Sequence, residues 1–185
     1  MQALPECTRD QWQEARPDLD TSSMDILGPL KRVQGVLGLA LEPVFDGAEV
    51  TSAELDVMLN LRYVEQPVIA RQLARQTHRS RAATSKILAK LERRELLTRE
   101  LSPSDRRAAL VRLTEKGKQV VDTLFPRQLE VEARLLGGID PARRAKIIEG
   151  LNMLAEELES SNVDRWRASP AAADPQEQSV AAAET

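Results

Sequence analysis

Apolar residues recur along most of this chain at spacings of three and four, the period of a helix that buries one side. Ile26, Leu30, Val33, Leu37, Leu41 and Val44 form the first long stripe, over about 21–46, and Pro43 and Gly47 mark its end. Thr51-Ser52-Ala53-Glu54 has the spacing of a capping box, in which the Thr and Glu side chains satisfy each other's free amides. It predicts a helix start followed by Leu55, Met58, Leu59 and Arg62. A shorter helix with Ile69 and Leu73 is expected after Pro67. A tight turn over Gln76–Arg79 then leads to Ser80, an N-cap for a helix that buries Thr84, Ile87, Leu88 and Leu91.

The pattern changes between Leu96 and Leu113. Leu97–Leu101 and Ala109–Leu113 read as short strands, with turn chemistry in Ser102-Pro103-Ser104-Asp105 between them. The result is a β-hairpin with Arg106 and Arg107 at its tip. Thr114 then caps a long helix carrying Val120, Val121, Leu124, Leu129 and Leu136, which Pro126 is expected to kink and Gly137-Gly138 to stop. Asp140-Pro141 opens a last helix, an N-cap followed by Pro at the first helical position, with the stripe Ile147, Leu151, Leu154 and Leu158. Residues 1–20 are polar, and Thr8 or Asp10 can cap a short helix bearing Trp12. Residues 168–185 are rich in Ala, Pro, Ser and Glu and are expected to form a disordered tail. The fold class is mainly α with a small β-wing: a winged helix-turn-helix over about 51–113, flanked by long helices over about 21–46 and 115–162.

Charge changes the picture only when its distribution is followed. The 185 residues hold 26 Lys or Arg and 29 Asp or Glu, a net charge of −3 that by itself argues against a polyanionic partner. Between Arg71 and Arg112, however, twelve Lys or Arg stand against four acids, a net of +8, and the remainder of the chain carries −11. The bland reading of such a block is a solvated face. Here it coincides with a helix-turn-helix and a basic hairpin, a geometry that puts the start of the second helix into a DNA major groove.

The residues at that start fit the task. Ser80, Arg81, Ala82, Ser85 and Lys86 are small, hydrogen-bonding or cationic; Arg81 can read guanine edges and Ala82 can touch a thymine methyl. Arg79 precedes them, and Arg99, Arg106 and Arg107 in the hairpin can reach an adjacent minor groove or its phosphates. Arg93, Arg94 and Arg112 serve as phosphate clamps or as helix-end cations.

Other classes find little support. No apolar run approaches the ~18 residues of a membrane span, so no membrane partner is expected. Met1–Asp10 lacks a signal-peptide pattern, which makes the cytoplasm the expected location. Cys7 and His78 are the only residues of their kinds, leaving little for a metal site, and no cofactor is expected. No nucleophile–base pair or phosphate loop suggests an enzyme.

The runs Leu73-Ala74-Arg75, Ser80 through Leu97, Ser104-Asp105-Arg106-Arg107-Ala108 and Leu110 through Gly117 together resemble the MarR family of winged helix-turn-helix transcriptional regulators. The Asp105-x-Arg107 hairpin followed by Leu113-Thr114-x-x-Gly117 carries the resemblance most specifically, and helix order agrees over about 21–162. The resemblance implies a homodimer on a pseudo-palindromic operator, built through the terminal helices, with Asp105 orienting a wing Arg. Trp12, Arg16-Pro17-Asp18-Leu19-Asp20 and the helix that follows are similar to the PecS and urate-responsive subgroup. That similarity implies a pocket for a small anionic or aromatic effector made by Trp12, Asp56 and Lys86.

Three positions depart from the pattern. Lys86 stands where the subgroup has an Arg, and a Lys cannot grip an anion bidentately. His78 and Glu95 stand where the family has turn glycines. Each ligand residue also has a plainer reading: Trp12 packs its helix, Asp56 makes an ion pair, and Lys86 contacts DNA. The function expected is a ligand-responsive regulator, a repressor released by its effector. The alternatives are redox sensing through Cys7, which needs a low-pKa exposed thiolate, and a protein-interaction module that does not bind DNA.

Overall fold

A computed structural model describes residues 9–101 and 109–160. In chain order the elements are α1 (Arg9–Ala15), α2 (Met24–Phe45), α3 (Ser52–Leu59), β1 (Val68–Ile69), α4 (Ala70–Gln76), α5 (Arg81–Arg93), β2 (Leu97–Leu101), β3 (Ala109–Leu113), α6 (Glu115–Leu136) and α7 (Pro141–Ser160). The chain divides into two units, one ending at Leu135 and the other beginning at Leu136.

In the first unit the capping box forms as the sequence predicts. Thr51 N–H donates to Glu54 Oε2 at 2.9 Å, and Glu54 N–H donates to the Thr51 hydroxyl at 3.3 Å. α3 ends at Leu59, so Arg62 lies beyond it, where it makes a bidentate pair with Asp122 of α6 at 2.7 Å through each nitrogen. α2 runs through Pro43 and ends at Phe45, between the Pro43 and Gly47 that the sequence suggested as its limit. α6 runs through Pro126 without a break in helical structure, although that residue has no N–H to offer the Asp122 carbonyl.

The helix expected directly after Pro67 is displaced by a strand. Ile69 belongs to β1, which pairs Val68 with Val111 and Ile69 with Leu110, and α4 starts only at Ala70. β3 thereby becomes the central strand of an antiparallel sheet in the order β1-β3-β2, with Leu97 opposite Leu113 and Leu101 opposite Ala109. The sheet closes over α3, α4 and α5. Val50, Leu55, Val57, Met58, Leu73, Leu88, Leu91, Leu96, Leu97, Val111, Leu113, Val121 and Leu124 form one buried cluster.

Two helix ends in this unit use the left-handed backbone region without glycine. α4 ends with His78 at φ 50°, and α5 ends with Glu95 at φ 60°. In each case the two amides after the cap turn back, His78 to Arg75 and Arg79 to Ala74, Glu95 to Glu92 and Leu96 to Leu91. That is the Schellman arrangement, which favours Gly at the left-handed position. The glycines suggested by the family resemblance are thus replaced in sequence while the backbone they suit is kept.

The second unit contains α7, opened by Asp140, whose carboxylate accepts from Arg143 N–H at 3.0 Å. None of its residues is buried.

Candidate nucleic-acid interface

The helix-turn-helix is α4 and α5. Ser80 caps α5, its hydroxyl accepting from Ala83 N–H at 3.1 Å. Thr84, Leu88 and Leu91 occupy the inner face and are fully buried. That fixes the opposite face: Ser80, Arg81, Ala82, Ser85 and Lys86 are all exposed. Five of the residues assigned to DNA from sequence therefore share one accessible surface at the start of one helix.

Arg99 of β2 joins them from the sheet. It lines a small cavity, about 110 Å³, together with Arg71, Arg81, Thr84, Ser85 and Leu88, and sits 3.7 Å from Glu92. Arg71 was counted in the basic block but not singled out by the sequence reading. It stands one residue after the first of α4, and only the fold brings it beside Arg81 and Arg99. Three guanidinium-bearing side chains around one cleft make a strongly electropositive floor between α5 and the sheet. Arg106 and Arg107, and Asp105, lie outside the described residues.

Arg79 and Asp56 were assigned to different ligands, DNA and effector. The structure pairs them with each other: Arg79 Nη2 donates to Asp56 Oδ2 at 3.2 Å. The pair links α3 to the turn just before the recognition helix, and the buried Nε of Arg79 has no hydrogen-bond partner among the described residues. Arg79 is therefore engaged from within, whereas Arg81 makes no ion pair among the described residues. The plainer reading of Asp56, an ion pair, is the observed one.

Trp12 lies on α1 and is 44% exposed. α1 is tied to the start of α2 by Arg9, which donates to the buried Thr21 hydroxyl at 3.4 Å and pairs with Asp25 at 2.5 Å. Cys7 lies outside the described residues.

The far end of α5 is built differently. Arg94, the C-cap, directs its Nη2 to Glu54 Oε1 at 2.7 Å, its Nε to the Lys90 carbonyl at 3.1 Å and its Nη1 to the Glu49 carbonyl. Of the two roles left open for Arg94, it fills that of a helix-end cation. Burial pushes the Glu54 carboxyl upward, but the Arg94 guanidinium and the Thr51 N–H outweigh it and hold the group below the usual carboxylate range.

An antiparallel hairpin packed on a helix-turn-helix, with the exposed face of the second helix basic and polar, defines a winged DNA-binding lobe. A MarR family model matches residues 49–108, which cover that lobe from α3 through β2 and stop short of β3. PecS, an HTH-type transcriptional regulator of Dickeya dadantii, is 28% identical over 128 residues, covering 68% of this chain and 77% of PecS. Among solved structures, BpsR of Bordetella bronchiseptica, whose DNA binding is regulated by 6-hydroxynicotinic acid, superposes with a TM-score of 0.64 at 24% identity, over 70% of this chain and 92% of BpsR. MepR of S. aureus, solved in complex with DNA, has a TM-score of 0.66 at 16% identity, over 75% of this chain and 98% of MepR. Residues 49–108 thus carry a MarR-family winged helix-turn-helix, the DNA-binding lobe of transcriptional regulators of that kind. Among the described residues no helix is long and apolar enough to cross a membrane.

Proposed function

We propose that the protein is a cytoplasmic, effector-controlled repressor that grips a pseudo-palindromic operator as a homodimer. The observation that carries the DNA reading is the common exposed face of Ser80, Arg81, Ala82, Ser85 and Lys86, flanked by Arg71 and Arg99. Arg81 and Lys86 read base edges and the wing residues Arg106 and Arg107 hold phosphates or the minor groove. Dimerisation is supported by apolar side chains that the protomer leaves uncovered. They are Ile26, Val33, Val36 and Leu39 on α2 and Ile147, Ile148, Leu151 and Met153 on α7. Large apolar side chains left open along a helix face are the kind of surface that a partner covers.

The effector is a small anionic or aromatic molecule, bound with the help of Trp12, Asp56 and Lys86. The Asp56–Arg79 pair supplies a route for its action. An anion that competes with Asp56 for Arg79 shifts the turn before α5 and favours lobes that no longer match the operator.

A mobility-shift assay on the DNA flanking the protein's own gene tests this reading. A discrete complex at moderate salt, abolished by excess unlabelled operator but not by random duplex, is the expected result. The absence of any specific complex would reject it.

A further inference from the structure

The two ends of the recognition helix are held with unequal strength, and the inequality assigns a role to Arg94. At the start of α5 the polar tie to another element among the described residues is the Arg79–Asp56 pair at 3.2 Å, with Asp56 about half exposed. At the other end four segments meet. Arg94 donates hydrogen bonds from Nε to Lys90 and from Nη1 to Glu49, and its buried Nη2 stands 2.7 Å from Glu54 Oε1 as an ion pair without hydrogen-bond geometry. Glu54 is only 4% exposed, and its second oxygen is held by Thr51 N–H. The Arg94 carbonyl accepts from Lys116 Nζ of α6 at 3.0 Å, and Lys116 also pairs with Glu49. The Glu95 carbonyl accepts from the Thr114 hydroxyl at 2.7 Å.

We propose that Arg94 is a positioning residue for DNA recognition: it pins the C-terminal end of α5 as a pivot, so that the N-terminal end moves about that fixed point. It does this without touching DNA. The planar fork matters because its three nitrogens are spread apart and reach oxygens on three segments at once, whereas the N–H bonds of an ammonium all leave one point on a flexible stem. A slack pivot would displace Arg81 and Lys86 by more than base-edge hydrogen bonds tolerate, which weakens base-edge contacts more than phosphate contacts. The inference rests on the DNA-binding reading given above.

The test uses the full chain as wild type, Arg94→Lys and Glu54→Gln. Gln keeps the capping-box pattern but removes the charge that Arg94 faces. Affinity for operator and for random duplex is measured across a salt series, beside amide hydrogen exchange. Both variants are expected to lose about tenfold in operator affinity, the scale of one base contact. Random-duplex affinity should stay within twofold and the salt slope should be unchanged. Exchange at Arg94–Leu96 should quicken in both. If Arg94→Lys binds operator like wild type, or weakens operator and random duplex equally, the pivot is refuted. If Arg94→Lys does not fold, Glu54→Gln decides by the same readouts. If wild type shows no specific binding, the DNA reading fails, and unchanged exchange at Arg94–Leu96 in the variants would separately refute the pivot.

Discussion

The winged lobe and α7 carry the same helical spacing of apolar residues, yet they do opposite things with it. In the lobe, Leu55, Met58, Leu73, Leu88 and Leu91 are wholly withdrawn from solvent by their own chain. On α7, Ile147, Ile148, Leu151 and Met153 remain around half exposed, and no residue of the helix is buried. α2 contains both regimes, with Leu41 buried near its end while Ile26 and Val33 are open near its start. Periodicity therefore reports that a face will be covered, not whether the same molecule or a second one covers it. The lobe is a self-sufficient core; the open faces of α2 and α7 are the surfaces on which the proposed dimer rests.

The sharpest way to break the lobe side of this contrast is at Gly117. A Cβ built there would stand 2.0 Å from the Leu96 carbonyl oxygen, which is backbone and cannot swing aside. Gly117→Ala should lower stability by about 3 kcal/mol or more, read from denaturant unfolding. An unaltered midpoint would mean that α6 and the α5–β2 turn are less closely apposed than described. On the α7 side, Leu151→Glu should leave the lobe folded and its melting little changed while sedimentation shows a monomer. Operator affinity should then fall about a hundredfold, the loss of linked binding by two lobes. A variant that remains dimeric would remove α7 from the interface.

Acid sharpens the contrast further. Glu54 is held below its unfolded carboxyl value, so its contribution is fully present above about pH 4.3, the unfolded value, and is lost as pH falls through the folded one. Wild type should lose melting temperature below about pH 4 more steeply than Glu54→Gln. Parallel curves for the two proteins would show that Glu54 is not a linked group. The smallest effect is expected at the left-handed caps. Glu95→Gly relieves a φ of 60° that costs a side-chain-bearing residue about 1 kcal/mol or more, partly offset by the extra freedom of Gly when unfolded. A gain of a few tenths to about 1 kcal/mol is expected by denaturant unfolding, and a loss would contradict the Schellman reading.

What was legible in the sequence followed from local rules. The capping box at Thr51, the Ser80 cap, the two hairpin strands and the Asp140-Pro141 start each depend on neighbours within a few residues. β1 was not legible, because two residues carry no period; Val68 and Ile69 become a strand only through Val111 and Leu110. The exposed DNA face was readable from helical spacing once Thr84, Leu88 and Leu91 were taken as buried. The Arg79–Asp56 pair was not, since its members lie 23 residues apart and each had a plausible partner elsewhere. Arg71 and Arg94 needed the fold as well. Both belonged to a visible block of charge, but a count of cations does not separate one that lines an open cleft from one spent on internal carbonyls.

The central claim is that one exposed face on α5, presented twice by a dimer, reads an operator. Fluorescence anisotropy with a labelled duplex from the flanking promoter tests it most directly, titrated across a salt series with wild type and Arg81→Ala. The account predicts two chains per duplex and an affinity that falls linearly on a log–log plot with salt. Replacing Arg81 should cost about 1–3 kcal/mol on the operator and much less on random duplex. Binding that ignores salt, or equal affinity of both proteins for the operator, would contradict it.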